Sequence, residues 1–300
     1  DKISKDITVN LLDVESTTNI IGDMPPFFSS VNVIPSKINP GEIVKIIAYA
    51  DDLNVKKSLW NGFERHDFQF NGVKSILVVP HSPAKNSPWV WRARFFGHQP
   101  QADIELLKKG FHLAYCDVAG LFGNHVAVER WNQFYKMLTT KKGLSKKPAL
   151  EGMSRGGLII YNWASQNPDK VSCIYGDAPV CDIRSWPGGK GNGKGGGSVW
   201  KSALKAYGIT DEESKTARVS PIYGLKPIAD AKIPILHVVG AVDKVVPVEE
   251  NSDIIEKRYK ELGGDIEVIS KPGIGHHPHA LKDPKPIVDF ILKHSLTRAG

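Results

Sequence analysis

A single stretch, residues 149–160, constrains the fold more than any other part of this chain. It contains Gly152, Ser154 and Gly156 in a Gly-x-Ser-x-Gly pattern. A short apolar run, 148–150, precedes the pattern and an apolar helical repeat follows it. In a strand–turn–helix of this kind, the glycines leave room beside the serine and the helix directs its free N–H groups toward it. The stretch predicts that Ser154 is presented as a nucleophile, and an ordinary glycine-rich turn is the alternative.

Strand-like and helix-like segments alternate along the rest of the chain. The predicted strands are 63–70 and 73–79, joined by an Asn-Gly turn, and 111–118, 171–175, 235–239 and 265–269, while the predicted helices are 102–109, 126–138, 249–262 and 284–294. Such alternation predicts an α/β fold with a mainly parallel central sheet covered by helices. Strand-like runs at 7–12 and 43–49 suggest an N-terminal β extension. We therefore divide the chain into an extension, 1–56, packed on a catalytic domain, 57–300.

Composition narrows the class of partner. The net charge of +7 favours anionic partners, and the basic residues are not clustered with aromatic residues as in nucleic-acid-binding proteins. The apolar runs are too short to span a membrane, and the N-terminus has no signal-peptide core. The chain begins at an aspartate, which fits a trimmed chain or a mature secreted form. Cys116, Cys173 and Cys181 lack metal-site spacing and are expected to be buried thiols.

A serine nucleophile needs a histidine to accept its proton and a carboxylate to orient that histidine. In this type of fold the acid and then the histidine follow the serine along the chain. Asp243, just past the apolar strand 235–239, is the predicted acid, and Asp177 is its rival. His276 is the predicted base with His277 as the alternate.

Three histidines in four positions also raise the question of a metal site. His276, His277 and His279 lie on a loop with Pro278, and spacings of one and two do not direct three imidazoles at one ion. We therefore predict no metal and no cofactor. His279 is expected to contact substrate or to fix the loop.

The oxyanion of an acyl-transfer reaction needs two donors. One is expected from the backbone N–H of Arg155, and the second from the segment after strand 73–79, with Trp91 as the candidate. That segment, 81–94, is expected to be a loop, and it has two tryptophans and two arginines. These side chains either pack under the loop or bind a sugar and its carboxylate, and the candidates are Trp89, Trp91, Arg92 and Arg94.

Residues 60–296 resemble the α/β-hydrolase superfamily. The segments 88–92, 152–163, 177–182, 185–189 and 275–279 also resemble a group of bacterial hydrolases close to the α/β-hydrolase pectin methylesterases of gut bacteria. The resemblance implies Ser154 as nucleophile, Asp243 as acid and His276 as base. We also expect Trp186, His277 and His279 to contact substrate. It also implies a secreted, periplasmic or cell-surface enzyme. The chain departs from this pattern in lacking an oxyanion Gly-Gly motif.

From these observations we expect a monomeric serine carboxylic-ester hydrolase acting on an acidic polysaccharide or oligosaccharide. Its predicted reaction is the removal of methyl esters from galacturonate in pectin. A glycan O-deacetylase and a non-catalytic glycan-binding relative are alternatives. A prolyl-oligopeptidase-like peptidase is a further alternative, disfavoured because the chain contains no propeller repeats.

Overall fold

The computed structural model describes residues 4–9, 28–34, 44–50 and 54–296. Its contacts divide the chain into two compact units. One comprises Asp1–Lys56 with Phe68–Gly72, and the other comprises Lys57–Asp67 with Val73–Gly300. Among the helices of the described residues, none combines the length and the apolar character needed to cross a bilayer.

The N-terminal part of the chain forms a small antiparallel sheet. Its strands are β1 (Ser4–Val9), β2 (Phe28–Ile34) and β3 (Val44–Ala50), in the order β1-β3-β2. The predicted runs 7–12 and 43–49 overlap β1 and β3. Residues 10–12 and 43 of these runs lie outside the described part of the chain. Strand β2 is not indicated by the sequence.

The large sheet contains nine strands in the order β12-β11-β10-β9-β7-β8-β6-β5-β4. Neighbours from β8 to β12 pair in parallel, whereas β6 and β8 are antiparallel. The predicted, mainly parallel sheet is therefore confirmed. The strands are β4 (Lys56–Trp60), β5 (Phe63–Phe70), β6 (Val73–Val79), β7 (Trp89–Arg92), β8 (His112–Cys116), β9 (Ala149–Met153), β10 (Cys173–Asp177), β11 (Ile235–Gly240) and β12 (Ile266–Lys271).

Seven α-helices flank this sheet within the described residues. They are α1 (Gln101–Lys108), α2 (His125–Lys141), α3 (Gly156–Gln166), α4 (Ser198–Tyr207), α5 (Leu225–Asp230), α6 (Ser252–Glu261) and α7 (Lys285–Leu296). Helices α1 and α7 contact each other and share one apolar core cluster with the sheet. Helices α2, α3, α5 and α6 contact one another in succession. The helices predicted from sequence correspond to α1, α2, α3, α6 and α7, while α4 and α5 were not predicted.

Strand β7 corrects the prediction that residues 81–94 form a loop. It lies between β8 and β9, with Trp91 paired to Ala114 on one side and to Leu150 on the other. A central strand of a parallel sheet is covered on both faces, so its side chains show no alternation between apolar and polar residues. The four residues Trp-Val-Trp-Arg are all buried. This strand places the segment after Arg92 at the carboxyl edge of the sheet.

Candidate active site

Ser154 occupies a tight turn between β9 and α3. Its φ of 50° lies in the left-handed region, where a residue with a side chain is strained. Hydrogen bonds hold this conformation, because Ser154 N–H donates to Asp177 O at 2.7 Å and Ser154 O accepts from Val180 N at 2.9 Å. Gly152 is required here, since a Cβ at this position would lie 2.8 Å from the Gly156 carbonyl oxygen. The local sequence therefore forces the serine outward from the sheet.

The structure brings the three predicted triad residues together. Ser154 Oγ lies 2.9 Å from His276 Nε2, and His276 Nδ1 lies 2.6 Å from Asp243 Oδ2. Asp243 follows β11 and His276 follows β12, so both loops lie at the carboxyl edge of the sheet. Their side chains, and that of Ser154, are largely buried. This order of contacts lets His276 accept the serine proton on one nitrogen while the other donates to a carboxylate.

The carboxylate of Asp243 is held in its ionised form. Burial alone would raise its pKa, but hydrogen bonds from His276 and from the backbone N–H groups of Val246 and Val245 lower the pKa below its usual value. The backbone N–H groups of Val245 and Val246 donate to Asp243 Oδ1 at 2.8 and 2.9 Å, respectively. An ionised Asp243 fixes the proton of His276 on Nδ1, which leaves Nε2 free to accept from Ser154.

Asp177, the rival acid, belongs to a different pair. Its Oδ1 lies 2.6 Å from His279 Nδ1, while its Oδ2 accepts from the Tyr175 hydroxyl at 2.6 Å and from Ala280 N at 2.7 Å. Burial would raise the pKa of this carboxyl, but His279 and Tyr175 lower it below the usual value. Asp177 therefore orients His279 rather than His276.

A cavity of about 610 Å³ opens at Ser154. Five residues that the sequence analysis placed at the site line it beside Ser154 and His276, namely Arg94, Arg155, Trp186, His277 and His279. The sequence analysis missed Phe95, Phe96, His98 and Val245, which also line it. The Phe-Phe pair begins three residues after the end of β7, and this spacing would have indicated an apolar rim if β7 had been predicted as a strand.

Three predicted substrate-binding residues lie instead in the core. The Trp89 and Trp91 side chains are 0% exposed, and Trp91 stacks on Trp131 with ring centroids 3.9 Å apart. Arg92 is 1% exposed and binds Asp103 and Glu151, the latter at 3.1 Å. Because β7 is covered on both faces, these side chains point into the protein and cannot reach a substrate in the cavity. The packing alternative considered for Trp89 and Trp91 is the one that the structure supports.

Trp91 is also unsuited to be an oxyanion donor. It lies inside β7, and Ala93 N donates the last hydrogen bond of this strand to Glu151 O at 2.8 Å. The first N–H groups beyond that bond are those of Arg94 and Phe95, whose φ values of 110° and 49° are both positive. Strained backbone at a cavity wall is typical of functional sites.

The prediction that their spacing keeps the three histidines of this loop from facing one ion is wrong. One nitrogen from each of His276, His277 and His279 lies within 4.8 Å of the others, and the ring centroids are 4.7 to 5.0 Å apart. The loop thus gathers three imidazoles that could offer nitrogens to a transition-metal ion. His276 already uses both nitrogens in contacts with Ser154 and Asp243, so such an ion would compete with Ser154.

Burial and neighbouring charges shift the pKa values of several side chains that line the cavity at Ser154. Partial burial, with the neighbouring histidines, lowers the pKa of His277 and of His98 below the usual value. Burial, with the nearby charge of Arg94, lowers the pKa of Arg155 to about 10. At neutral pH Arg94 and Arg155 are charged, while His277 and His98 are uncharged.

Comparison with known proteins then decides the family. Residues 133–296 match the model of the prolyl oligopeptidase family. The chain belongs to the prolyl oligopeptidase family. This family match and the solved structures below establish an α/β-hydrolase fold.

Three solved structures illustrate the α/β-hydrolase fold of this chain. A puromycin hydrolase is 17% identical with a TM-score of 0.57, and the alignment covers 81% of this chain and 39% of that one. A putative dipeptidyl aminopeptidase IV from Bacteroides ovatus is 16% identical with a TM-score of 0.56, covering 84% and 38%. An acylaminoacyl peptidase from Pyrococcus horikoshii is 15% identical with a TM-score of 0.61, covering 85% and 47%. The chain thus spans less than half the length of each of these proteins, and identities this low show the fold alone. Among curated proteins, none matches the sequence.

Membership of the prolyl oligopeptidase family overturns the predicted substrate. A pectin methylesterase acting on an acidic polysaccharide is contradicted by the family match and by the peptidases among the similar structures. The resemblance to carbohydrate esterases is not shown. The absence of propeller repeats was a poor argument against a peptidase, because the family is recognised here from residues 133–296 alone.

Proposed function

We propose that the protein is a serine peptidase that hydrolyses an amide bond of short peptides through an acyl-enzyme on Ser154. The hydrogen-bonded chain from Ser154 through His276 to Asp243, at the wall of an open cavity, carries this proposal. The match to the prolyl oligopeptidase family supports peptide hydrolysis as the class of reaction. A cavity of about 610 Å³ is of the size that binds small ligands, so the substrate is a short peptide or a peptide end.

The reaction follows from the positions of the protons. As Ser154 Oγ attacks the carbonyl carbon, its proton passes to His276 Nε2, and Asp243 stabilises the resulting imidazolium. The C–N bond then breaks, and His276 gives this proton to the leaving nitrogen. Water attacks the acyl-enzyme in the same way, with His276 accepting a proton from the water and returning it to Ser154 Oγ. The products are an amine and a carboxylic acid.

The oxyanion of each tetrahedral intermediate needs donors on the cavity wall. We assign the first to the backbone N–H of Arg155, which follows the nucleophile at the start of α3. We assign the second to the N–H groups of Arg94 and Phe95, in place of Trp91, because these follow the last ladder hydrogen bond of β7. Both segments line the cavity that contains Ser154.

A substrate panel tests the proposal. We expect aminoacyl and peptidyl amides of an aminocoumarin to be cleaved, and Ser154→Ala to lower kcat by about 10⁴-fold or more. The matched control is Ser202→Ala, which removes an exposed serine hydroxyl on α4 and should retain wild-type activity. Labelling of Ser154 by a fluorophosphonate provides a readout that does not depend on the substrate. Hydrolysis of simple esters in a Ser154-dependent manner, with every amide left intact, would overturn the peptidase assignment.

A further inference from the structure

Two arginines line the cavity at Ser154 and are not neutralised. Neither Arg94 nor Arg155 forms an ion pair with any acidic side chain in the described part of the chain, whereas Arg65, Arg92 and Arg184 do. Arg65 binds Asp67 at 2.6 Å and Arg184 binds Asp182 at 2.6 Å. The buried Nε atoms of Arg94 and Arg155 also have no hydrogen-bond partner among the described residues. Buried charges are normally paired, so this exception needs a reason.

Aromatic rings hold both guanidinium groups in place without removing their charge. Arg94 Cζ lies 4.5 Å from the centroid of Phe95, and Arg155 Cζ lies 5.1 Å from Phe122 and 5.5 Å from Trp186. Stacking on an aromatic face leaves the edge of the guanidinium fork free to donate hydrogen bonds. The two side chains are therefore oriented in advance for a planar anion.

The charges around Arg94 and Arg155 also favour a bound anion. Partial burial and the proximity of Arg94 disfavour the charged form of Arg155, and partial burial does the same for Arg94. Tyr115 and Asp117 act to raise the pKa of Arg94 but do not offset the effect of burial, and the Asp117 carboxylate accepts a hydrogen bond from Ala119 N rather than from Arg94. The start of α3, directly after Arg155, adds a partial positive charge to the same wall. An anion bound between the two arginines would relieve both the repulsion and the unmet hydrogen bonding.

We propose that Arg94 and Arg155 bind a carboxylate of the substrate, so that the enzyme selects peptides with a carboxylate beside the scissile bond. This inference rests on the proposed peptidase function and specifies its substrate class. Arg155 is adjacent to Ser154 along the chain, which keeps the bound carboxylate close to the reacting carbonyl. The carboxylate could be an aspartate or glutamate side chain, or the C-terminus of the peptide, because all of these offer the same planar acceptor.

Matched peptides distinguish these sources. One set carries glutamate or glutamine beside the scissile bond, with the C-terminus amidated, and a second set carries glutamine with a free or an amidated C-terminus. We expect kcat/KM to be at least about tenfold higher for the carboxylate member of one set, because hydrogen bonds to charged groups are the stronger ones. The preference should decrease as salt is raised from low to high ionic strength. Equal rates in both sets would overturn the proposal.

Variants test whether the two arginines are responsible. Arg94→Gln and Arg155→Gln should each reduce the preference for the carboxylate peptide, and the double variant should bring the ratio close to one. Arg155→Lys keeps the charge but loses the fork, so it should retain only part of the preference. The matched control is Arg130→Gln, which removes an exposed positive charge on α2 outside the cavity and should leave the ratio unchanged. A ratio that survives in the double variant would assign the selection to other groups.

A binding measurement separates this inference from the proposed function. Calorimetry on the Ser154→Ala protein should detect N-acetylglutamate more strongly than N-acetylglutamine amide, which carries no carboxylate, and the double arginine variant should abolish the difference. Binding of this kind without turnover of any peptide would contradict the peptidase assignment but retain the carboxylate site. Equal binding of both probes, together with peptide turnover that shows no carboxylate preference, would contradict the carboxylate site alone.

Discussion

The molecule contains two histidine–aspartate pairs with the same hydrogen-bond length and different surroundings. His276 and Asp243 are joined at 2.6 Å, as are His279 and Asp177. Both aspartates have a lowered pKa despite their burial. The pairs differ at the far side of each imidazole, because only His276 contacts Ser154. A histidine oriented by a carboxylate is thus not sufficient to define a base, and the group that faces its second nitrogen decides its role.

The carboxylates are also anchored differently. Asp243 accepts from two backbone N–H groups of its own loop, at Val245 and Val246. Asp177 stands at the end of β10 and accepts from the backbone of Ala280, on the loop that carries His276. We therefore expect the Asp177 pair to position that loop on the sheet, and the Asp243 pair to act in proton transfer.

The largest expected difference between the pairs is catalytic. Asp243→Asn should lower kcat by about 10⁴-fold, because an amide cannot hold His276 in the required tautomer or stabilise its charged form. Asp177→Asn should change kcat far less, since His279 does not contact Ser154. Both values come from steady-state kinetics on an amide that the wild type cleaves, or from the rate at which a fluorophosphonate labels Ser154.

Circular dichroism of each variant provides the control, because an unfolded Asp177→Asn protein would imitate a catalytic loss. If the folded Asp177→Asn variant lost as much activity as Asp243→Asn, the division of roles between the two pairs would be wrong.

The second expected difference concerns the free energy of unfolding, which should fall more in Asp177→Asn than in Asp243→Asn. Asp177 is 0% exposed, and its carboxylate is hydrogen-bonded to the side chain of His279 and the backbone N–H of Ala280, both on a distant segment. Asp177→Asn should lower the free energy of unfolding by about 2–3 kcal/mol, since a buried charged acceptor is lost. Asp243→Asn should cost less, because its backbone donors lie within the same loop. Urea unfolding of both variants measures the two losses, and a larger loss for Asp243→Asn would reverse the expectation.

Acid titration sharpens this second difference. The pKa of Asp177 is lower in the folded protein than its ordinary value of 3.8, so the folded state binds its proton less readily than the unfolded state. Its contribution to stability is then complete above that ordinary pKa and is lost as the pH falls through the folded value. The stability gap between wild type and Asp177→Asn should therefore be constant from pH 7 to about 5 and shrink below about pH 4. Urea unfolding across this range measures the gap, and a gap that widens in acid would contradict the ionised Asp177.

The sequence could predict the positions of Ser154, Asp243 and His276 because each follows a strand in a regular α/β alternation. The carboxyl ends of parallel strands meet at one edge, so the chain order alone brings these loops together. Their roles as nucleophile, acid and base remain part of the proposed function. The mainly parallel character of the sheet and most helices followed from periodicity in the same way.

The sequence could not predict that β7 is a central strand buried on both faces. Trp89, Trp91 and Arg92 look like binding residues because a short central strand has no polar face to reveal its burial. Arg92 is tolerated inside because Asp103 accepts a hydrogen bond from it and Glu151 forms an ion pair with it, and these two partners come from other elements. The pairing of Asp177 with His279 depends likewise on the packing of β10 against a distant loop. Tertiary contacts of this kind leave no signal in local patterns.

The smallest expected effect isolates a single hydrogen bond of the Asp177 pair. The Tyr175 hydroxyl donates to Asp177 Oδ2 at 2.6 Å in a buried site, and its ring belongs to the core cluster shared with α1 and α7. Tyr175→Phe keeps the ring and removes the donor, so the unfolding free energy should fall by about 1–2 kcal/mol. The activity should stay near that of the wild type, because Asp177 keeps its contacts with His279 and Ala280. Urea unfolding and steady-state kinetics on the same preparation check both statements. A large loss of activity without loss of stability would show that the Asp177 pair takes part in the reaction, and the contrast between the two pairs would then fail.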